Sequence, residues 1–280
     1  MAAKYPGDAF RARFGPWAVI AGGSDGIGEA FARELARRGL HVAVIARRRE
    51  PLESVAAELR ARHGVEARAI ACDLTSEAVA ETIASATRNL DVGLFVYNAG
   101  ASRTAQNFLD TPLADVLSLE RLNCLGPLLL AHHFGTRLRT RGSGGMILMS
   151  SLASLCGNHY QATYAATKAF DTVLAEGLWH ELASVGVDVL GVLAGATRTP
   201  AMLATEGNFA DAMDPAEVAA GALDHLGKGP NWVAGAANQA IARSVWPVPR
   251  VGLVNAISRA GAEIFGLPHA QVDGVEFHES

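Results

Sequence analysis

The chain has 280 residues, 50% of them hydrophobic and 19% charged, with a formal net charge of −4. That describes one soluble domain with room for a large core and an appendage, and its acidic balance argues against nucleic acid as the main partner. Three scattered cysteines (Cys72, Cys124 and Cys156) predict buried thiols in a reducing, cytoplasmic setting and exclude a disulfide framework.

Residues 1–17 lack the apolar stretch of a secretory leader, so no signal peptide is expected. WAVIA (residues 17–21) is a short apolar run of the kind that forms a buried strand. It meets a Gly-rich turn, Gly22 to Gly28, and then a helical pattern that Gly39 closes. HVAVIA (41–46) is a second buried-type strand. Strand, Gly turn, helix and strand make a βαβ unit. Gly22 allows the tight turn, Gly26 lets the backbone approach a pyrophosphate, and Gly28 lets the helix pack against the sheet; the helix N-terminus then faces phosphates.

An amphipathic helix is expected over residues 51–63, with Leu52, Val55, Ala56 and Leu59 on one face. A third strand runs over 66–74, ending in Asp73-Leu74, and a helical pattern follows from Thr75, so Asp73 also reads as a helix N-cap. The fourth strand and its turn span 92–100, where Asn98 is a candidate turn residue. A leucine-rich helical region follows, with Leu117, Leu119, Leu122, Leu125 and Leu128 to Leu130 able to bury more than one face. Asn123 within it reads as a buried polar residue satisfied by backbone or as a functional one. A fifth strand (144–151) delivers Ser151, while the adjacent Ser150 points to the other side of an extended chain. A helix carries on through 169–182, and a sixth strand covers 187–195. Asp214 and Pro215 are the N-cap and first position of another helix, and 231–239 holds a short seventh strand. After Arg250 a last helical pattern appears. No run approaches 18 apolar residues, and no His, Cys or carboxylate cluster has metal-ligand spacing.

The chemistry concentrates between Ser151 and Lys168. Tyr164 and Lys168 are four residues apart, one turn of a helix, so they share a face. An ammonium beside a phenol favours the phenolate. Free tyrosine titrates near about 10, so a base useful at neutrality needs roughly 3 units, or about 4 kcal/mol. A bound cationic cofactor ring would add what Lys168 does not supply. Ser151 would donate a hydrogen bond to a substrate oxygen, and the three suit proton transfer to or from a carbonyl or alcohol oxygen. Tyr160 has no lysine four residues on and reads as packing.

The Gly-x-x-x-Gly-x-Gly spacing from Gly22, with Tyr164-x-x-x-Lys168 and a serine thirteen residues before the tyrosine, resembles the short-chain dehydrogenase/reductase family over about residues 15–235. The resemblance implies a Rossmann-type α/β fold, a doubly wound parallel sheet of about seven strands in the order 3-2-1-4-5-6-7, with the ligand at the carboxyl ends of the strands. It implies a catalytic set of Ser151, Tyr164, Lys168 and Asn123, the last as part of a proton relay. The cofactor shell it implies is Gly22, Ser24, Asp25, Gly26, Ile27, Gly28, Asp73, Leu74, Asn98, Ala99, Gly100, Tyr164, Lys168, Thr197 and Thr199, Asp73 meeting the adenine. The second strand ends at Ala46 with Arg47, Arg48 and Arg49 behind it, where an acidic residue would repel a 2′-phosphate. NADP(H) is therefore expected over NAD(H), with Arg47 and then Arg48 as phosphate ligands; a solvated arginine run is the alternative. Asp25 stands where some NADP-preferring relatives carry a basic residue. Ala194 replaces a family proline before the Thr197 turn, and Ala21 replaces a frequent threonine.

The resemblance further implies a homodimer or homotetramer through the helices bearing Asn123 and Tyr164, and a stretch over residues 200–214 that closes on substrate. Met202, Leu203, Phe209 and Met213 there read as an apolar lid or as ordinary packing. Residues 1–239 are expected to form the catalytic domain and 240–280 a helical extension packed on it, with membrane-surface contact not favoured. The expected activity is NADP(H)-linked hydride transfer on a ketone or secondary alcohol, with a bulky apolar substrate such as a steroid, 3-oxoacyl or aryl ketone. The alternatives are a non-catalytic NADP(H)-binding regulator and an epimerase or imine reductase on the same fold.

Overall fold

The computed structural model describes residues 3–100, 106–157, 159–204, 212–246, 249–265 and 271–274, with residues 257, 258 and 260–265 described by backbone alone. The expected strands fold as β1 (Trp17–Ala21), β2 (His41–Ala46), β3 (Ala67–Ala71), β4 (Val92–Tyr97), β5 (Gly144–Ser151), β6 (Val187–Ala194) and β7 (Asn231–Val233). They form one sheet in the order β3-β2-β1-β4-β5-β6-β7, every neighbour parallel. Each strand runs with its neighbour, so every connection is a crossover and the carboxyl ends share one edge. The central strands are buried on both faces, which is why they read as continuous apolar runs and not as alternations.

Helices cover both faces. On one lie α2 (Gly26–Arg37), α3 (Arg49–His63) and α9 (Pro215–His225), together with α1 (Asp8–Phe14). Phe10, Phe14, Phe31, Leu35, Leu52 and Leu223 fill the core there. On the other lie α4 (Val79–Thr87), α6 (Gly126–Arg141) and α7 (Ala162–Ala183), around Phe95, Tyr97, Phe134, Leu148 and Trp179. Phe95 and Phe134 stack with ring centroids 4.4 Å apart. Gly64 ends α3 in the left-handed region (φ 67°), and its N–H caps the Arg60 carbonyl. Asp214 caps α9 as expected, accepting from the Ala216 N–H at 2.8 Å.

Several expectations are corrected. The third strand stops at Ala71, and α4 starts only at Val79. Asp73 is therefore not a helix cap: its Oδ1 accepts from the Thr75 N–H (2.9 Å) and hydroxyl (2.8 Å), a side-chain turn of the kind aspartate favours. Helix α3 begins two residues early, at Arg49, because Pro51 fits a first turn whose N–H groups have no intrahelical partner. Tyr160 is 50% exposed at φ 65° and stacks on His159 instead of packing inside. Of the thiols only Cys72 is buried; Cys124 is half-buried and Cys156 exposed.

The leucine-rich region is α5 (Leu113–Glu120) running through a π turn (Arg121–Leu125) into α6. Beyond β7 come α10 (Ala236–Val245) and α11 (Arg250–Phe265). Arg250 binds Glu176 of α7 through two nitrogens on one oxygen (2.9 and 2.6 Å) and lies over the Trp246 ring at 4.6 Å. Asn255 exchanges two hydrogen bonds with Val272, and Val251, Val254 and Val272 pack against the second core. No helix of the described residues is long and apolar enough to cross a membrane.

Candidate active site at the carboxyl edge of the sheet

The Gly-rich turn leaves β1 at the sheet's carboxyl edge. Gly22 and Gly23 donate to the Ile45 carbonyl of β2, which pins the turn across two strands. A Cβ on Gly26 (φ 56°) would stand 2.8 Å from the Thr199 methyl, and one on Gly28 only 1.9 Å from the Gly22 oxygen. The Asn98 amide donates to that same oxygen at 3.0 Å, so Asn98 ties the end of β4 to the turn. Among the described residues no side chain caps α2 behind Asp25, and the first N–H groups of a helix have no intrahelical acceptor. Ser24 and Ile27 are half-buried beside them.

At the end of β2 the three arginines differ. Arg48 pairs with Asp25 of the turn at 3.2 Å and Arg49 with Glu53 at 3.8 Å. Arg47 is exposed and has no ion pair among the described residues, and its charge helps to hold the nearby Asp73 carboxyl below its ordinary range, an effect led by the Thr75 N–H bond. An exposed pair such as Asp25–Arg48 is worth about 0–1 kcal/mol, so it yields readily to a stronger anion. Leu74 and Ala99 are buried alongside.

Across the switch between β1 and β4, Gly100 (φ 124°) opens the chain beside Asn123 and Lys168: a Cβ there would meet Asn123 Oδ1 at 2.3 Å and stand 3.4 Å from Lys168 Nζ. Asn123 sits in the π turn, fully buried, its amide donating to the Thr167 hydroxyl at 2.9 Å while Oδ1 has no partner among the described residues. Thr167 in turn donates to the Tyr164 carbonyl. Ser151 ends β5, half-buried, with its Oγ accepting from the Ala153 N–H at 3.2 Å. Ser150 points the other way, as expected, and its hydroxyl joins the Lys168 carbonyl and the Thr172 hydroxyl, both at 2.7 Å. Tyr164 lies half-buried in the first turn of α7, which packs on β5.

Thr197 is buried and donates to the Gly195 carbonyl. Thr199 caps the short α8 (Pro200–Leu203), accepting from the Met202 N–H. Met213 packs against the first core, Leu203 is 70% exposed, and Phe209 lies outside the described residues.

A cradle of glycines that no Cβ could enter, an uncapped helix N-terminus, an unpaired arginine, and a Tyr–Lys pair one strand further along together fit a dinucleotide. Residues 16–208 match the short chain dehydrogenase family. The 7beta-hydroxysteroid dehydrogenase of Clostridium sardiniense is 33% identical over 82% of this chain and 89% of its own length. The chain belongs to the short-chain dehydrogenase family. It is thus an oxidoreductase of a family that binds nicotinamide cofactors. The very-long-chain 3-oxoacyl-CoA reductase of Podospora anserina is 36% identical over 64% of this chain and 54% of its own length. A short-chain dehydrogenase from Sphingobium yanoikuyae, solved in complex with NADPH, superposes with a TM-score of 0.73 at 27% identity over 92% of this chain and 98% of that one.

In this short-chain dehydrogenase the expected residues gather on one edge, the glycines and arginines over β1 and β2, the expected catalytic residues over β4 and β5. Sequence reasoning missed Asp171. Its Oδ2 receives Lys168 Nζ at 2.9 Å, while the Met149 carbonyl receives it at 2.8 Å, and both charged side chains are 2% exposed. Burial alone would lower the lysine's pKa, but the Asp171 carboxylate, and after it the Tyr164 hydroxyl, carry it above the ordinary value. Burial also raises the Asp171 carboxyl, against the pull of Lys168. The signal was present as an acid three residues past the lysine in an otherwise apolar stretch of helix.

Proposed function

We propose that this oxidoreductase interconverts a ketone and a secondary alcohol with NADP(H), using Ser151, Tyr164, Lys168 and Asn123. The observation that carries the reading is the buried Lys168 ammonium one helical turn from a half-exposed Tyr164, beside a serine at a strand's carboxyl end. The bound nicotinamide supplies or accepts a hydride at the carbonyl carbon. Tyr164 Oη gives the proton to the substrate oxygen in reduction and takes it in oxidation. Ser151 Oγ orients that oxygen by donating to it. Lys168 retains one N–H beyond those given to Met149 and Asp171, free for a ribose hydroxyl. Asn123, fixed by Thr167, holds the site's inner wall and an acceptor oxygen beside Gly100.

Gly22, Ser24, Asp25, Gly26, Ile27 and Gly28 would hold the pyrophosphate, and Asp73, Leu74, Asn98, Ala99 and Gly100 the adenosine side. Thr197 and Thr199 would border the nicotinamide, and Ala194 leaves that turn to be held by Thr197 itself. Arg47 supports NADP(H) over NAD(H), since a free guanidinium suits a phosphate, with Arg48 joining when it leaves Asp25. Relatives named for a hydroxysteroid and for a 3-oxoacyl thioester support a bulky apolar ketone as substrate. Leu113, Leu117, Leu128 and Val173 are exposed apolar residues on α5, α6 and α7, which supports a homodimer or homotetramer through that face. Unpaired cysteines support a cytoplasmic setting. The pairing of Arg250 with Glu176 of α7 supports reading residues 240–280 as an extension packed on the same domain.

The test is cofactor consumption against steroid, 3-oxoacyl thioester, aryl and sugar ketones with NADPH and NADH. Tyr164→Phe is expected to abolish turnover while NADPH still binds, and Arg47→Asp to erase the preference for NADPH. Activity retained by Tyr164→Phe refutes the mechanism. Tight NADPH binding with no turnover of any ketone shifts the reading to a regulator or an epimerase.

A further inference from the structure

Lys168 is the deepest charge in the site, and an isolated buried ammonium is costly enough to shed its proton. The ammonium is nevertheless what the reaction requires. It must favour the Tyr164 phenolate and offer N–H groups to the cofactor. Its surroundings decide whether it stays charged.

The groups around it are few. From α7 come Tyr164 and Asp171, from the π turn Cys124, and from β5 the Met149 carbonyl. Tyr97 of β4 faces Asp171 in turn. Burial and then Asp171 push the Cys124 thiol up to about 11. Burial, with Asp171 behind it, likewise raises the Tyr97 hydroxyl, which donates to the Leu122 carbonyl at 2.6 Å. Neither group is an anion near neutrality. That leaves Asp171 as the counter-ion of Lys168 among the described residues, at 2.9 Å and on the same helical face. Among the described residues its Oδ1 is buried without a partner, so the bond the carboxylate makes there is the bond to Lys168.

We propose that Asp171 is a positioning residue that keeps Lys168 charged and in place whether or not cofactor is bound. The proposal rests on the reading of the chain as a Tyr164-dependent oxidoreductase. It adds a member that touches neither substrate nor reacting atoms. Asp171 divides the labour: the salt bridge fixes two of the ammonium's directions, with Met149, and leaves the third for the site.

The chain has three lysines, Lys4, Lys168 and Lys228. Protein labelled with 13C at lysine Cε therefore gives three signals, assigned through Lys4→Arg and Lys228→Arg. In the cofactor-free wild type the Lys168 signal is expected to titrate above about 10.4, the value of a solvated lysine. In Asp171→Asn, which has the same shape, its midpoint is expected to fall by about two units. The pH profile of kcat/KM should then gain a falling limb at that same midpoint. An unmoved lysine titration in a folded Asp171→Asn protein overturns the proposal. So does activity reduced by one factor at every pH, the mark of a structural role alone. If Asp171→Asn does not fold, a wild-type midpoint below the solvated value overturns it. A wild type that reduces no ketone refutes the reading of the activity, while the lysine titration still decides for or against Asp171.

Discussion

Replacing Gly28 with alanine tests how closely the first helix must approach the turn before it. The added methyl carbon would lie 1.9 Å from the Gly22 oxygen, 2.6 Å from the Asn98 amide nitrogen and 2.8 Å from the Gly22 carbonyl carbon. A carbon–oxygen contact needs about 3.3 Å, so helix or turn must shift by about 1.4 Å. Neither can yield as a flexible side chain would. Gly22 is bonded to Ile45 and Asn98, and α2 buries Phe31, Leu35 and Ala36 in the first core. Overpacking of this kind costs about 3 kcal/mol at the upper end of its usual range. The same shift moves the N–H groups that would meet the pyrophosphate, and losing about two charge-assisted bonds weakens NADPH by about a hundredfold. Urea unfolding measures the first effect and NADPH fluorescence titration the second. A Gly28→Ala protein that matches the wild type in both would refute the claim that this glycine sets the approach of helix to turn.

Val173 is 63% exposed on α7; Val173→Glu should convert the proposed oligomer to monomer in sedimentation velocity, and an unchanged mass places the interface elsewhere or refutes the oligomer. Arg250→Met should destabilise the fold by about 3–5 kcal/mol, because it strips the guanidinium from a Glu176 side chain only 7% exposed. Adding Glu176→Gln should recover part of that loss in urea unfolding, and no recovery would mean the pair is not what anchors α11. His225 stacks on Trp232 at 4.7 Å, and burial, partly opposed by its bond to the Gly221 carbonyl, holds its pKa below the ordinary value. The unfolded chain therefore binds this proton more readily, so the stability His225 gives is full above about pH 6.5 and is lost as pH falls toward the folded value. Melting temperature should drop on acidification, less steeply in His225→Phe; equal slopes would count against it.

The sheet was legible because a parallel sheet buries its strands on both faces, and an apolar run between turn signals carries that message locally. The Gly turn, Ser151, Tyr164 and Lys168 were legible for a related reason: each stands at a fixed offset from a strand or helix end. Helices α1 and α10 were missed, the first being two turns whose only apolar anchors are Phe10 and Phe14. Asp73 looked like a helix cap because aspartate serves both turn and helix, and only the three-dimensional path of residues 74–78 separates the two. The exposure of Tyr160 and Cys156 depends on where the loop after β5 lies, which no local pattern encodes. Asp171 belongs with these, since its meaning comes from what surrounds a lysine rather than from its own neighbours in the chain.

The two serines that close β5 face opposite ways, and the second-to-last is bolted to the middle of α7 through a carbonyl and a hydroxyl. Strand and helix are thereby one mechanical part. A displacement of β5 that carries Ser151 therefore carries Tyr164 and Lys168 with it, so the bond at Ser150 holds the spacing of the three proposed catalytic side chains. On the proposed reading, a change elsewhere in the site leaves this register alone, because the two hydrogen bonds that set it lie behind the strand, on the side away from Ser151.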